Sequence, residues 1–158
     1  MTQLDSHSQQ LALSILERSC DLTLATVRHD GTPHASTVSF ASDQLVLYVA
    51  IALDSHKAHD VREHGQVALT INAPYQNWRD IQGLSIDGRA SWVRDPAELA
   101  LASSLLLGKV PAYAELIREP AILPWPGMLF MRIAPLTIRL LDYTRGIGHT
   151  EQFEVAEA

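Results

Sequence analysis

The chain has 158 residues, of which 47% are hydrophobic and 19% charged, and its net charge at pH 7 is −6. This length and composition predict one globular domain over residues 1–158. The acidic balance argues against nucleic acids and anionic membrane surfaces as partners, because both are bound by basic faces. The single cysteine, Cys20, cannot form an internal disulfide, so we expect a cytoplasmic protein.

Hydrophobic periodicity predicts an amphipathic helix over residues 4–19, followed by segments rich in β-branched residues. Asp30-Gly31 lies between two such segments and is typical of a hairpin turn. Gly88 predicts a bulge within its strand, and Pro135 predicts a break. The predicted strands are residues 22–28, 33–41, 45–52, 66–72 and 81–94, one or two strands within 128–143, and a short strand in the C-terminal tail.

Three further helices are predicted between these strands. The first covers about residues 56–64 and ends at Gly65, and the last covers about 111–118. The middle helix begins at Asp95-Pro96, because Asp is a good N-cap and Pro fits the first helical turn. Six or seven antiparallel strands with peripheral helices favour a mainly β fold, a small closed or split β-barrel.

The segment "DSHKAHDVREHG", residues 54–65, is the main candidate site, because three histidines, a lysine and a serine lie close together in it. Ser55 occupies the N-cap position, and His56 and Lys57 fall in the first helical turn. Free backbone N–H groups, a hydroxyl and an ammonium at a helix N-terminus form a good phosphate site. The simpler interpretation of the spacing alone is a surface helix with an ordinary Ser cap.

A metal site in the same segment would use His56 and His59, three residues apart, with Asp60 or His64 nearby. This spacing brings only two ligands together at once, whereas a stable site needs a third. We therefore predict no metal. Cys20 is interpreted as a small packing residue, since no partner base accompanies it.

Three segments in order resemble a known family: "DGTPHASTVSF", "LVLYVAIALDSHKAHDVREHGQVALTI" and "IQGLSIDGRASWVRDP". Together they are similar to the pyridoxamine 5′-phosphate oxidase-like family, the FMN-binding split barrels. The resemblance covers about residues 10–155. It implies an antiparallel split barrel and a homodimer with two FMN molecules at the interface.

The resemblance also implies positions for the cofactor. The phosphate would be held by Ser55, His56 and Lys57. The remaining contacts would surround the flavin ring and the ribityl chain, with Gln82 or Gly83 at the pyrimidine edge, from the same or the other protomer. The implied ring and ribityl contacts are Thr37, Val38, Ser39, Ala50 and Ile51.

Two departures from the family bear on the binding of the cofactor and on the substrate. His56 stands where the family often has Arg, and a neutral imidazole holds phosphate less well than a bidentate guanidinium. The Trp- and Arg-rich C-terminal segment of the oxidase itself is missing from this sequence. We therefore expect a flavin-dependent oxidoreductase acting on a small organic substrate, rather than an enzyme of vitamin B6 oxidation.

Alternatives remain open at this stage. Some split-barrel relatives bind and degrade haem through a histidine from a C-terminal segment, and His149 in "GIGHTE" is the candidate iron ligand here, although an exposed loop histidine is the simpler interpretation. A non-catalytic flavin carrier or sensor is a second alternative. A deazaflavin in place of FMN is a third, because nothing in the sequence discriminates between them.

Overall fold

A computed structural model of the protein describes residues 2–63 and 65–156. Nine strands and four α-helices lie within these residues, together with single 3-10 turns at Trp78–Asp80 and Tyr143–Arg145. The strands are β1 (Thr2–Gln3), β2 (Asp21–Val27), β3 (Pro33–Ser39), β4 (Ala41–Asp43), β5 (Val46–Ala52), β6 (Gln66–Asn72), β7 (Gln82–Trp92), β8 (Met128–Asp142) and β9 (Thr150–Glu154). The helices are α1 (Ser6–Arg18), α2 (His56–Glu63), α3 (Pro96–Lys109) and α4 (Tyr113–Leu116).

The strands form one sheet that curls into a barrel but does not close. The strand order along its main path is β1-β9-β8-β7-β6-β2-β3. In addition, β5 pairs with β8, and β4 pairs with β5. Every pairing is antiparallel except the short parallel pairing of β1 with β9. The predicted mainly β, split-barrel fold with peripheral helices is confirmed.

The long strand β8 explains how a proline is accommodated inside a sheet. On one side β8 pairs with β7 over most of its length, while on the other side β5 reaches only to Ile133 and β9 begins only at Thr137. Pro135 falls in this gap. Because no strand pairs with β8 on that side here, the sheet loses no hydrogen bond through the missing N–H of the proline. The expected break is therefore wrong: β8 continues through Pro135, although its register with β7 shifts opposite Gly88, where the bulge was predicted.

Other predicted elements are confirmed with small changes of boundary. The hairpin turn at Asp30-Gly31 joins β2 and β3, with Gly31 at a φ of 85°. Residues predicted as one strand over 33–41 are split into β3 and β4, and the helix predicted over 111–118 shrinks to the single turn α4. The predicted end of α2 at His64 lies outside the described residues.

Two apolar clusters hold the fold together. The barrel interior contains one face of each main strand, together with Ala12, Ile15 and Leu16 of α1. A second cluster lies outside the barrel, where α3 covers Tyr48, Ala50 and Phe130. Within the described residues, no helix is long and apolar enough to cross a membrane.

Candidate functional site

The barrel is split between β3 and β5, and the candidate site lies along this seam. β3 forms a ladder only with β2 on its other side, and β5 pairs with β4 only from Val46 to Tyr48. The two strands approach each other without pairing. The later half of β5 therefore leads along the open seam directly to α2.

Helix α2 begins where the sequence predicts. The Ser55 hydroxyl accepts a 3.2 Å hydrogen bond from the Ala58 N–H, and the Ser55 carbonyl accepts the first helical bond from His59. The amides of His56 and Lys57 have no intrahelical acceptor, as in any first helical turn. Among the described residues, the Lys57 ammonium forms no hydrogen bond and no ion pair. An ammonium and two backbone donors are thus free for an anion.

A buried polar cluster beneath α2 was not found by the sequence analysis. Asp60 is 4% exposed and accepts a 2.8 Å hydrogen bond from the Thr26 hydroxyl of β2. Its carboxylate also lies 3.8 Å from Nδ1 of His34. The His34 ring in turn meets the His56 ring edge-on, with the ring centroids 6.2 Å apart. The cluster connects the barrel wall to the first turn of α2.

Two polar atoms on the inner face of β3 lack a hydrogen bond. His34 Nδ1 and Ser36 Oγ are fully buried, and neither forms a hydrogen bond with the described residues. Unpaired buried polar atoms are rare in native proteins and each one calls for an explanation. Both atoms lie on the strand that borders the seam, so a polar group bound nearby would supply their missing hydrogen bonds.

Side chains alternate along β3, which separates the three residues predicted to contact a ring. Val38 faces the barrel and packs against its core, whereas Thr37 is exposed on the outer face. Ser39 is half-buried and shares a hydrogen bond with the phenol of Tyr113 in α4. Burial raises the pKa of Tyr113, and this hydrogen bond opposes the rise only in part. The ring end of the seam therefore includes Tyr113, which the sequence analysis missed.

Ala50 and Ile51 have buried side chains on opposite faces of β5. Ala50 packs under α3, and Ile51 lies in the barrel core. Neither side chain lines the seam, so any contact that they make with a cofactor there is through the backbone. Their alternation is the ordinary consequence of a strand with both faces covered.

Gln82 and Gly83 lie away from α2 within the same chain. They begin β7, which is separated from β3 by β6 and β2. The Gln82 amide is occupied, since it donates to Asp142 at 3.2 Å and accepts from Arg18 at 2.8 Å. A Cβ on Gly83 would lie 2.8 Å from the Ile71 carbonyl, so close strand packing alone accounts for this glycine.

His149 lies in the connection between β8 and β9. It is half-buried, and its Nε2 lies 3.2 Å from a Glu151 carboxylate that also pairs with Arg145 at 3.0 Å. Leu141 pairs with Thr150 at this end of β8, whereas Met128 pairs with Ala52 at the end next to α2. The two ends are about 40 Å apart along the strand. His149 and the start of α2 are therefore separate sites within one chain.

The sequence profile described as pyridoxamine 5′-phosphate oxidase matches residues 10–141. The chain belongs to the pyridoxamine 5′-phosphate oxidase-like family. The matched residues include β2 to β7, α2, the seam and almost all of β8. No curated protein matches the chain in sequence.

Solved structures of the same fold include a candidate oxidase and two haem proteins. A candidate pyridoxamine 5′-phosphate oxidase from Listeria innocua is 26% identical, with a TM-score of 0.67 over 84% of this chain and 97% of its own. A heme binding protein from Mycobacterium smegmatis is 18% identical, with a TM-score of 0.78 over 92% of this chain and 57% of its own. The heme storage protein HutZ from Vibrio cholerae is 19% identical, with a TM-score of 0.64 over 85% and 91%.

These comparisons do not distinguish a flavin from a haem cofactor, so the choice between them depends on the residues of this chain. The chain spans little more than half of the Mycobacterium smegmatis protein, and the two haem proteins share its fold at low identity. The start of α2 offers an anion the Lys57 ammonium and free backbone amides, and His34, with its buried Nδ1, lies beside His56 there. Within the described residues, no group of three His, Cys, Asp or Glu side chains is placed to hold a metal ion.

Proposed function

We propose that the protein is an FMN-binding, flavin-dependent oxidoreductase that acts on a small organic substrate. The observation that carries this proposal is the start of α2. There the Lys57 ammonium, which has no hydrogen bond or ion pair among the described residues, lies next to His56 and to backbone N–H groups without an acceptor. A helix N-terminus with an adjacent cation is a favourable phosphate site. Lys57 is half-buried, so its charge is only partly screened by water.

The flavin ring would lie along the seam towards Ser39 and Tyr113. The distance from His34 to Ser39 along β3 is about 17 Å, which suits an elongated ligand with a phosphate at one end. Beside Tyr113 there is an apolar cavity of ≈ 430 Å³, lined also by Ile117, Trp125 and Met128. This volume suits a small organic substrate next to the ring.

A homodimer completes the proposed site. Thr37 is exposed, and in one chain Gln82 and Gly83 begin β7, a strand that does not border the seam. A second protomer placed against the seam would cover the outer face of the cofactor and supply contacts that one chain lacks. FMN, when bound, supplies the electron and hydride chemistry, while the protein residues bind and orient it and exclude water.

Haem binding is a second candidate, favoured by the pairing of His149 with Glu151. A carboxylate that holds one imidazole nitrogen orients a histidine and raises its basicity as a metal ligand. The likeness to haem proteins in fold is consistent with this candidate. It predicts binding at the β8–β9 connection instead of at the start of α2.

The test of the proposed function is a redox cycle on purified protein loaded with FMN. NADH or NADPH is added without oxygen, and the flavin absorption is followed before and after oxygen is admitted. Bleaching and recovery would support an oxidoreductase, whereas bound flavin that no reductant bleaches would favour a carrier or sensor. Sedimentation equilibrium of the same sample would test the homodimer.

A further inference from the structure

A second cavity lies outside the barrel, away from the seam. It has a volume of ≈ 410 Å³ and is bounded by α1, the β4–β5 turn, the outer face of β7 and β8, and the segment after β9. Its floor is apolar. The apolar lining residues are Leu45, Val46, Ala134, Pro135, Leu136, Val155 and Ala156.

The polar side chains that line this cavity are two arginines and two glutamines. Arg89 of β7 and Arg132 of β8 both line it, and they are diagonal neighbours on the same sheet face, since Arg89 pairs with Ala134 and Ser91 with Arg132. No Asp or Glu lines it among the described residues. In a chain with 18 acidic and 12 basic residues, this local excess of positive charge is unusual.

The two arginines differ in their partners. Arg132 lies 3.6 Å from Glu98 of α3, so its charge is partly offset. Arg89 has neither an ion pair nor a side-chain hydrogen bond within the described residues, and the same holds for the side-chain amides of Gln9 and Gln44 at the cavity wall. A guanidinium and two amides are thus free to bind one ligand.

We infer that this cavity binds a small organic anion, an oxyanion group such as a carboxylate or phosphate on an apolar body. The guanidinium of Arg89 would hold the oxyanion, since its donors match carboxylate and phosphate oxygens. The apolar floor would bury the body of the ligand, and the volume fits a molecule of that size. This site is separate from the proposed cofactor site, because it shares no residue with β3, with α2 or with the later half of β5.

Benzoate is the probe for a titration of the ¹⁵N-labelled protein, loaded with its cofactor and followed by amide NMR. We expect saturable shifts at Leu45, Ala134 and Val155, and affinity about tenfold lower in Arg89→Gln, because a charged hydrogen bond is lost. The matched control is Arg94→Gln, which removes an exposed guanidinium outside this cavity and should leave the affinity unchanged. Inorganic phosphate tests whether the oxyanion binds without the apolar body.

Benzyl alcohol is the neutral comparison on the unaltered protein, and it keeps the test decisive if Arg89→Gln does not fold. Weaker binding of benzyl alcohol than of benzoate would support an anion site. Equal binding of the two probes, benzoate affinity that Arg89→Gln leaves unchanged, or no saturable shift at these three amides would overturn the inference.

Discussion

The hydroxyl of Thr26 on β2 donates a 2.8 Å hydrogen bond to the buried carboxylate of Asp60 on α2. This bond fixes the helix to the barrel wall one turn after Lys57. It therefore links the stability of the fold to the geometry of the proposed phosphate site.

Thr26→Val should lower the free energy of unfolding by about 1.5–3 kcal/mol, the usual contribution of a hydrogen bond to a charged group. Valine keeps the shape and suits a strand, so the loss reports mainly on the bond. Urea unfolding measures it. The matched control is Thr32→Val, which removes a 2.6 Å bond to the exposed Asp30 and should cost much less. Equal losses in the two variants would contradict a special role for the buried pair.

Lys57→Ala should weaken FMN binding by about 1.5–3 kcal/mol, since a charge-assisted bond to the phosphate is lost. Binding of riboflavin, which lacks the phosphate, should hardly change. Fluorescence titrations of both flavins measure the two affinities, and Arg94→Ala serves as the control for removing one exposed positive charge. If FMN and riboflavin weaken equally, Lys57 does not hold the phosphate.

His56→Arg should tighten FMN binding, because a guanidinium holds phosphate oxygens through two parallel hydrogen bonds, which an imidazole does not form. Riboflavin, which lacks the phosphate, should bind both proteins equally. Fluorescence titrations of the two flavins measure the affinities. Equal FMN affinities of the variant and the unaltered protein would show that residue 56 does not contact the phosphate.

Asp142→Asn should reduce stability near neutral pH and matter less in acid. Burial tends to raise the pKa of Asp142, but hydrogen bonds from Thr144 and Gln82 outweigh it and lower the pKa overall. A lowered pKa means that the carboxylate stabilises the folded state above about pH 4, and that this stabilisation is lost as the pH falls through the folded-state value. Urea unfolding from pH 7 to pH 3 should show the two proteins converging. Curves that stay parallel would contradict this account.

Local signals in the sequence were sufficient for the elements that position the site. The Ser55 cap, the Asp30-Gly31 turn and the bulge at Gly88 each follow from nearby residue types. Pro135 was misjudged because its tolerance depends on where β5 ends and β9 begins, which is a property of the sheet. Period and capping rules do not contain that information.

The buried members of the site could not be predicted in the same way. His34 and Asp60 are 26 positions apart in sequence, and they meet only because β3 lies beside β2 under α2. The one available signal was alternation: His34, Ser36 and Val38 share a strand face once the hairpin register is fixed. The position of Gln82 and Gly83, on a strand that does not border the seam, could not be predicted for the same reason, because sheet order is not a local property.

The most direct measurement is an absorption spectrum of the purified protein, taken alone and after addition of FMN and then of haemin. The account predicts the double band of a flavin, either co-purifying with the protein or restored by stoichiometric FMN, together with little binding of haemin. A sharp Soret band with haemin and no binding of FMN would contradict the proposal and would direct attention to His149.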